Sequence, residues 1–167
     1  MDLDLIIEEF REKNYQNFDV FYQETKRHVF YSASLIIKGY HIDDIIQETY
    51  IKFLENLDKY SSKTNVKAFL SKIAYNLAIN MYNKEKRIIK DDEYIDFQST
   101  EYDPLLSLEV IEMLKVLSED EKKVVVLKVL NELKFKEIAS IINKPLGTVL
   151  WIYNKAMKKL RGDLSEK

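Results

Sequence analysis

No cysteine occurs in the chain, so neither a disulfide nor a thiolate metal site is available to it. Glycine is scarce: Gly39, Gly147 and Gly162 are the three present, and they stand too far apart to form a loop that cradles a phosphate. Two prolines in 167 residues fit poorly with a turn-rich β sandwich. The two histidines, His28 and His41, are isolated, and no metal-ligand spacing surrounds them. Long apolar runs are missing as well, because Asp, Glu or Lys interrupts every candidate before the roughly 18 residues that a bilayer span requires. The opening MDLDLIIEEF lacks the basic-then-apolar order of a secretory signal. Together these absences predict a cytoplasmic protein with no membrane insertion, no cofactor, no metal and no enzymatic activity, its many carboxylates serving as helix surface.

What is present points to ordered helix. Hydrophobic residues make up 46% and charged residues 32%, a composition suited to packed amphipathic helices rather than disordered chain. The length accommodates one ordinary domain or two modules of about 70 to 90 residues with modest cores. The net charge of −2 speaks against nucleic acid, but its distribution is uneven. Residues 1–62 carry −5, residues 63–90 carry +6, residues 91–109 carry −7 and residues 110–167 carry +4. Two basic surfaces separated by an acidic connector would produce this alternation, and so would solvated helix faces.

Apolar spacing places the helices. Ile42, Ile45, Ile46, Tyr50, Phe53, Leu54 and Leu57 recur at three and four residues, with Asp43, Asp44, Gln47 and Glu48 on the opposite face. A second stripe, Phe69, Leu70, Ile73, Ala74, Leu77, Ala78 and Met81, predicts a helix beginning just after the capping residue Asn65, with a short polar loop from Lys59 to Asn65 before it. Upstream, residues 18–37 read as helix stopped near Gly39. Residues 1–90 therefore form a bundle of three or four helices. The acidic run from Asp91, with Asp103 and Pro104, is the predicted linker, 91–109. In 110–167, Leu117 opens the second module and Ser118 with Glu121 has capping-box spacing. Val124 to Leu130, then Phe135 to Ile142, form two short helices, and Asn143 to Gly147 turns into a longer final helix. The predicted fold is all-α: two small helical domains, the second a helix-turn-helix domain, joined by an acidic linker.

Such a pattern lays its last helix in the major groove, where Lys155, Lys158, Lys159 and Arg161 suit phosphates and base edges, and where Thr148 and the first amides favour an anion. A structural hairpin with a solvated basic end is the alternative. The stretch from Lys63 to Lys90 interleaves lysines with Tyr60, Tyr75 and Tyr82, a mixture suited to single-stranded nucleic acid, with Tyr60 in the loop as the candidate base platform. Tyrosines at helical spacing also serve as packing residues.

IDDIIQETYIKFLENLDKY followed by VKAFLSKIAYNLAINMYNKEKR resembles region two of the extracytoplasmic-function sigma factors. LSEDEKKVVVLKVLNELKFKEIASIINKPLGTVLWIYNKAMKKLRGDL resembles their region four, in the right order with a linker between. The resemblance implies an alternative sigma factor that directs bacterial RNA polymerase core to promoters. It implies that Asp43, Asp44, Gln47 and Glu48 dock on the clamp helices of the largest polymerase subunit. It implies that Lys59, Tyr60, Lys63, Asn65, Lys67, Lys72, Asn76 and Asn80 engage the minus-ten element. The minus-thirty-five element would fall to Thr148, Leu150, Trp151, Asn154, Lys155, Lys158 and Lys159. Promoter DNA and an anti-sigma factor are the further partners implied.

One motif departs from the family. Members usually carry a basic residue, Ser and Arg after Gly-Thr-Val, where this chain has Leu150, Trp151 and Ile152. Losing a bidentate Arg removes about 1–3 kcal/mol of base discrimination. Leu150 and Trp151 have three roles open to them: touching thymine methyls, lining a protein interface, or packing against the helix that begins at Ser118. Two rival functions follow, a sigma-like adaptor that binds proteins and a stand-alone helix-turn-helix regulator.

Overall fold

The computed structural model describes residues 2–37, 39, 41–88 and 108–165. The expected linker residues Asp103 and Pro104, and Lys90 of the basic stretch, lie outside the described residues. All described regular structure is helical, and the chain divides into two compact units, residues 1–96 and 97–167.

In the first unit, α1 (Leu3–Arg11), α2 (Phe18–Ser34), α3 (His41–Glu55), a 3₁₀ turn (Leu57–Lys59) and α4 (Val66–Ile88) follow one another. Asp2 caps α1 by accepting the Asp4 N–H at 3.0 Å, and Ile6, Ile7 and Phe10 bury one side of the helix. The chain leaves α1 through Lys13, whose φ of 61° is left-handed. Helix α2 closes at Ser34 although its apolar pattern runs to Ile37. The Ile36 N–H reaches Ala33 O at 3.1 Å, a tightened last turn, and Gly39 at φ 72° redirects the chain into α3.

Aromatic rings hold this bundle together. Phe21 meets Phe10 edge-on at 5.3 Å and stacks on Phe53 at 5.3 Å. Phe53 then meets Tyr60 at 6.1 Å, and Tyr60 meets Phe69 at 5.5 Å. Each side chain of this size contributes about 1.5–3 kcal/mol on full burial. The core also holds a polar pair. Thr25 Oγ1 donates to Phe21 O at 2.7 Å, which commits its only proton, so the Tyr50 hydroxyl 2.8 Å away is the donor to Thr25. Burial pushes the Tyr50 phenol up.

The second unit contains α5 (Leu108–Lys115), α6 (Glu119–Val125) continuing into a π-helical turn (Val126–Leu130), α7 (Phe135–Ile142) and α8 (Leu146–Ser165). Helix α5 departs from the expected division, in which its first residues belong to the linker and the module opens at Leu117. Met113 and Leu114 pack against the cluster of Leu117, Val125, Ala156 and Leu160. The capping box forms as expected. The Glu121 N–H donates to Ser118 Oγ at 3.3 Å and the Ser118 N–H donates to the Glu121 carboxylate at 2.9 Å. Glu137 caps α7 from within by accepting the Lys134 N–H at 2.8 Å. Asn143, at φ 55°, makes the left-handed turn into α8, which packs on α6 and α7 through Val149, Ile152, Ala156 and Leu160.

Candidate nucleic-acid interface

Helix α3 turns Ile42, Ile45, Thr49, Tyr50 and Phe53 inward, so the 3.6-residue repeat leaves Asp43, Asp44, Gln47 and Glu48 together on the exposed face. Glu48 pairs with Lys52 at 3.5 Å within the same helix. Ile51, 52% exposed, extends this ridge by one turn and was absent from the sequence reading. An apolar residue outside the core stripe was the available signal.

The loop before α4 is built from below. Arg11 Nη2 donates to the carbonyls of Leu57 at 3.2 Å and Tyr60 at 2.6 Å. The Tyr60 hydroxyl lies 2.7 Å from Asp4 Oδ1 and 2.7 Å from Thr64 O, so one proton serves two acceptors. Burial, then the hydrogen bond and charge of Asp4, push this phenol up. Tyr60 is therefore a correction. It is 4% exposed, with its ring between Phe53 and Phe69, and acts as the floor of the loop rather than as a platform on which a base stacks. Lys59, Lys63 and Asn65 are exposed, and Asn65 also caps α4 by accepting the Lys67 N–H at 3.0 Å.

On α4, Lys72, Asn76 and Asn80 succeed one another at four residues and form a single exposed row. Lys67 does not join it. Five residues separate it from Lys72, a rotation of about 140°, and it is half-buried on another flank. Tyr75 is buried, whereas Tyr82 is 45% exposed. Glu85, the lone acid of the basic stretch, lies 2.9 Å from His41 on α3.

On α8, burial of Val149, Ile152, Ala156 and Leu160 fixes the outward ridge as Gly147, Trp151, Asn154 and Lys158. Leu150 and Arg161 flank it on one side, Thr148 and Lys155 on the other. Of the three departures from the family pattern, Ile152 is core. Leu150 is 38% and Trp151 62% exposed. Lys155, Lys158 and Lys159 are all exposed, and Lys159 Nζ lies 2.8 Å and Lys155 Nζ 4.0 Å from the carboxylate of Glu121, whose side chain is 4% exposed. Lys155 also sits over the Trp151 ring at 4.9 Å. Burial pushes the Glu121 carboxyl up, but the Lys159 hydrogen bond, the Ser118 amide and both lysine charges outweigh it, so the group titrates below its ordinary value. A cleft of about 250 Å³ opens beside these residues, lined by Asp120, Glu121, Lys144, Thr148, Trp151 and Lys155, with Lys144 3.5 Å from Asp120. Among the described residues no group of His, Asp or Glu is arranged to hold a metal, and no helix is long and apolar enough to cross a membrane.

Residues 21–88 match the family Sigma-70 region 2, and residues 107–160 match Sigma-70, region 4. The RNA polymerase sigma factor SigV of Bacillus subtilis (strain 168) is 30% identical over 125 residues, covering 74% of this chain and 75% of SigV. The ECF RNA polymerase sigma factor SigW of the same organism is 30% identical over 145 residues, covering 74% of this chain and 75% of SigW. Among solved structures, the sigma factor RpoE in complex with the anti-sigma factor NepR from Bartonella quintana aligns with a TM-score of 0.69 at 20% identity, over 90% of this chain and 98% of that one. CnrH in complex with the cytosolic domain of CnrY aligns with a TM-score of 0.66 at 17% identity, over 98% of this chain and 97% of that one. Those two likenesses concern the fold, which is the all-α arrangement read from the sequence. With both sigma regions matched in order and SigV matched over 75% of its length, the chain belongs to the extracytoplasmic-function RNA polymerase sigma factors, transcription initiation factors that are not enzymes.

Proposed function

We propose that this sigma factor joins core RNA polymerase in the cytoplasm and brings it to promoters through both helical units. The exposed ridge of Asp43, Asp44, Gln47 and Glu48, extended by Ile51, docks on the clamp helices of the largest polymerase subunit. An acidic and polar ridge is suited to pairing with basic groups on a partner. The loop from Ser61 to Asn65, with Lys59, engages the minus-ten element together with the row Lys72, Asn76 and Asn80. Its floor of Tyr60, Asp4 and Arg11 supports this reading, because a loop already held in place has more of its contact energy left to offset the few kcal/mol that unstacking a flipped base costs. Helix α8 reads the minus-thirty-five element. The working divisions are a first unit to residue 90, a linker that ends before α5, and a second unit from Leu108 onward. An anti-sigma factor is a further partner, in line with the complexes named for RpoE and CnrH.

The observation that carries this reading is that both units present exposed polar or basic rows, in the order of the sigma regions. The exposed Leu150 and Trp151 favour a second reading, an adaptor in which region four binds a protein. A run-off transcription assay decides between them. Core polymerase and this chain are added to fragmented DNA from the same genome, and new start sites are mapped. Starts that share two upstream elements support the sigma factor. Core binding without new starts supports the adaptor.

A further inference from the structure

We infer that α8 reads a minus-thirty-five element of A·T pairs, chiefly through thymine methyl groups on Leu150 and Trp151, and not through guanine. The inference rests on the reading that α8 enters the major groove.

In that geometry the first turns of the recognition helix meet the base edges. A guanine is normally read there by Arg or Lys donating to its O6 and N7, whereas thymine presents a methyl group and adenine pairs bidentately with Asn or Gln. On the first turns of α8 the outward ridge is Gly147, Trp151 and Asn154, with no cation on it, flanked by Leu150 on one side and by Thr148 and the exposed Lys155 on the other. The cations nearby are engaged by other groups of the same unit. Lys155 lies over the Trp151 ring and against Glu121, Lys159 is bonded to Glu121, and Lys144 is paired with Asp120. The first cation on the ridge itself is Lys158, beyond Asn154, with Arg161 a turn further, and both are exposed. Those positions suit the phosphates at the groove edge. The helix thus offers two large apolar side chains, 38% and 62% exposed, and one amide to the bases, flanked by cations for the backbone. That is the donor and methyl complement of an A·T run.

The test uses the full chain with core polymerase on a promoter whose start has been mapped. Thymines of its upstream element are replaced by deoxyuridine, which removes only the C5 methyl. The result expected is an A·T element at the base-contact positions and a loss of roughly three- to fourfold in run-off product per methyl removed, the ratio that one buried methyl corresponds to. Trp151→Ala should shrink the difference between thymine and deoxyuridine templates, Trp151→Ala with Leu150→Ala should abolish it, and Trp151→Arg should shift preference toward guanine. These substitutions lie on exposed side chains and leave the core of the unit intact. Guanine at those positions in the mapped elements, or equal transcription from thymine and deoxyuridine templates, would overturn the inference while leaving the sigma factor reading in place. Core binding with no transcription from any template would remove both together.

Discussion

Replacing Glu121 by Ala should destabilise the second unit more than any single surface change to α8. The carboxylate is buried, accepts the Ser118 amide at 2.9 Å and Lys159 Nζ at 2.8 Å, and so joins the start of α6 to the middle of α8. Losing a cap costs about 1 kcal/mol. Losing a hydrogen bond to a charged group costs about 1.5–3 kcal/mol, and the lower end applies because solvent screens a half-exposed lysine. The Lys159 side chain is 41% exposed. The expected loss is about 2–3 kcal/mol, which approaches the roughly 3–5 kcal/mol that a single core of fewer than about 80 residues supplies. Glu121→Gln keeps an acceptor for the Ser118 amide and loses the charge, so it should cost about half as much. Urea titrations of the full chain followed by tryptophan fluorescence measure this directly, because Trp151 is the one tryptophan and reports the second unit. If both variants unfold within about 0.5 kcal/mol of the parent, the size of an ordinary surface change, Glu121 does not join the helices and the account of Lys155 and Lys159 is wrong.

The same carboxylate sets an acid limit. Its pKa is lowered in the folded state, so its contribution is complete above the unfolded value near 4.3 and is lost as pH falls through the lower folded value. The Trp151-reported transition should weaken in that window, and Glu121→Gln should lack that limb. Tyr60→Phe removes a hydroxyl held by Asp4 and Thr64 but keeps the ring, so the first unit should lose about 1 kcal/mol in a urea titration followed by circular dichroism; an unchanged midpoint would show the loop floor to be unimportant. Lys158→Glu should weaken promoter binding by the holoenzyme and reduce its salt dependence without moving the midpoint of unfolding. Lys159→Glu should do the reverse, lowering the midpoint by placing a second carboxylate beside Glu121.

Elements whose information is local were legible in the sequence. The stripes of α3, α4 and α8, the box of Ser118 and Glu121, and the turn at Asn143 all announce themselves within one helix or one turn. Tyr60 was misread because an aromatic in a polar loop looks exposed. Its partners Asp4 and Arg11 lie on α1, 56 and 49 residues away, and no periodicity links them. The bond between Lys159 and Glu121 is hidden for the same reason, since Glu121, 38 residues earlier, reads in sequence only as half of a capping box. Helix α5 was hidden by its setting. Met113, Leu114 and Leu117 carry helical spacing, but the acidic run before them drew the linker too far. The stripe of Val149, Ile152, Ala156 and Leu160 puts Ile152 on the core face by spacing alone, whereas the exposure of Leu150 and Trp151 depends on what packs beside α8.

The most direct test of the central claim is promoter binding by the chain with and without core polymerase, at one stated salt concentration, on a fragment carrying a mapped start. Two small units that share recognition with polymerase predict weak, salt-sensitive and sequence-blind binding by the chain alone, and specific binding only in the holoenzyme. Tight and specific binding by the chain without polymerase would contradict the account and identify a self-sufficient helix-turn-helix regulator instead.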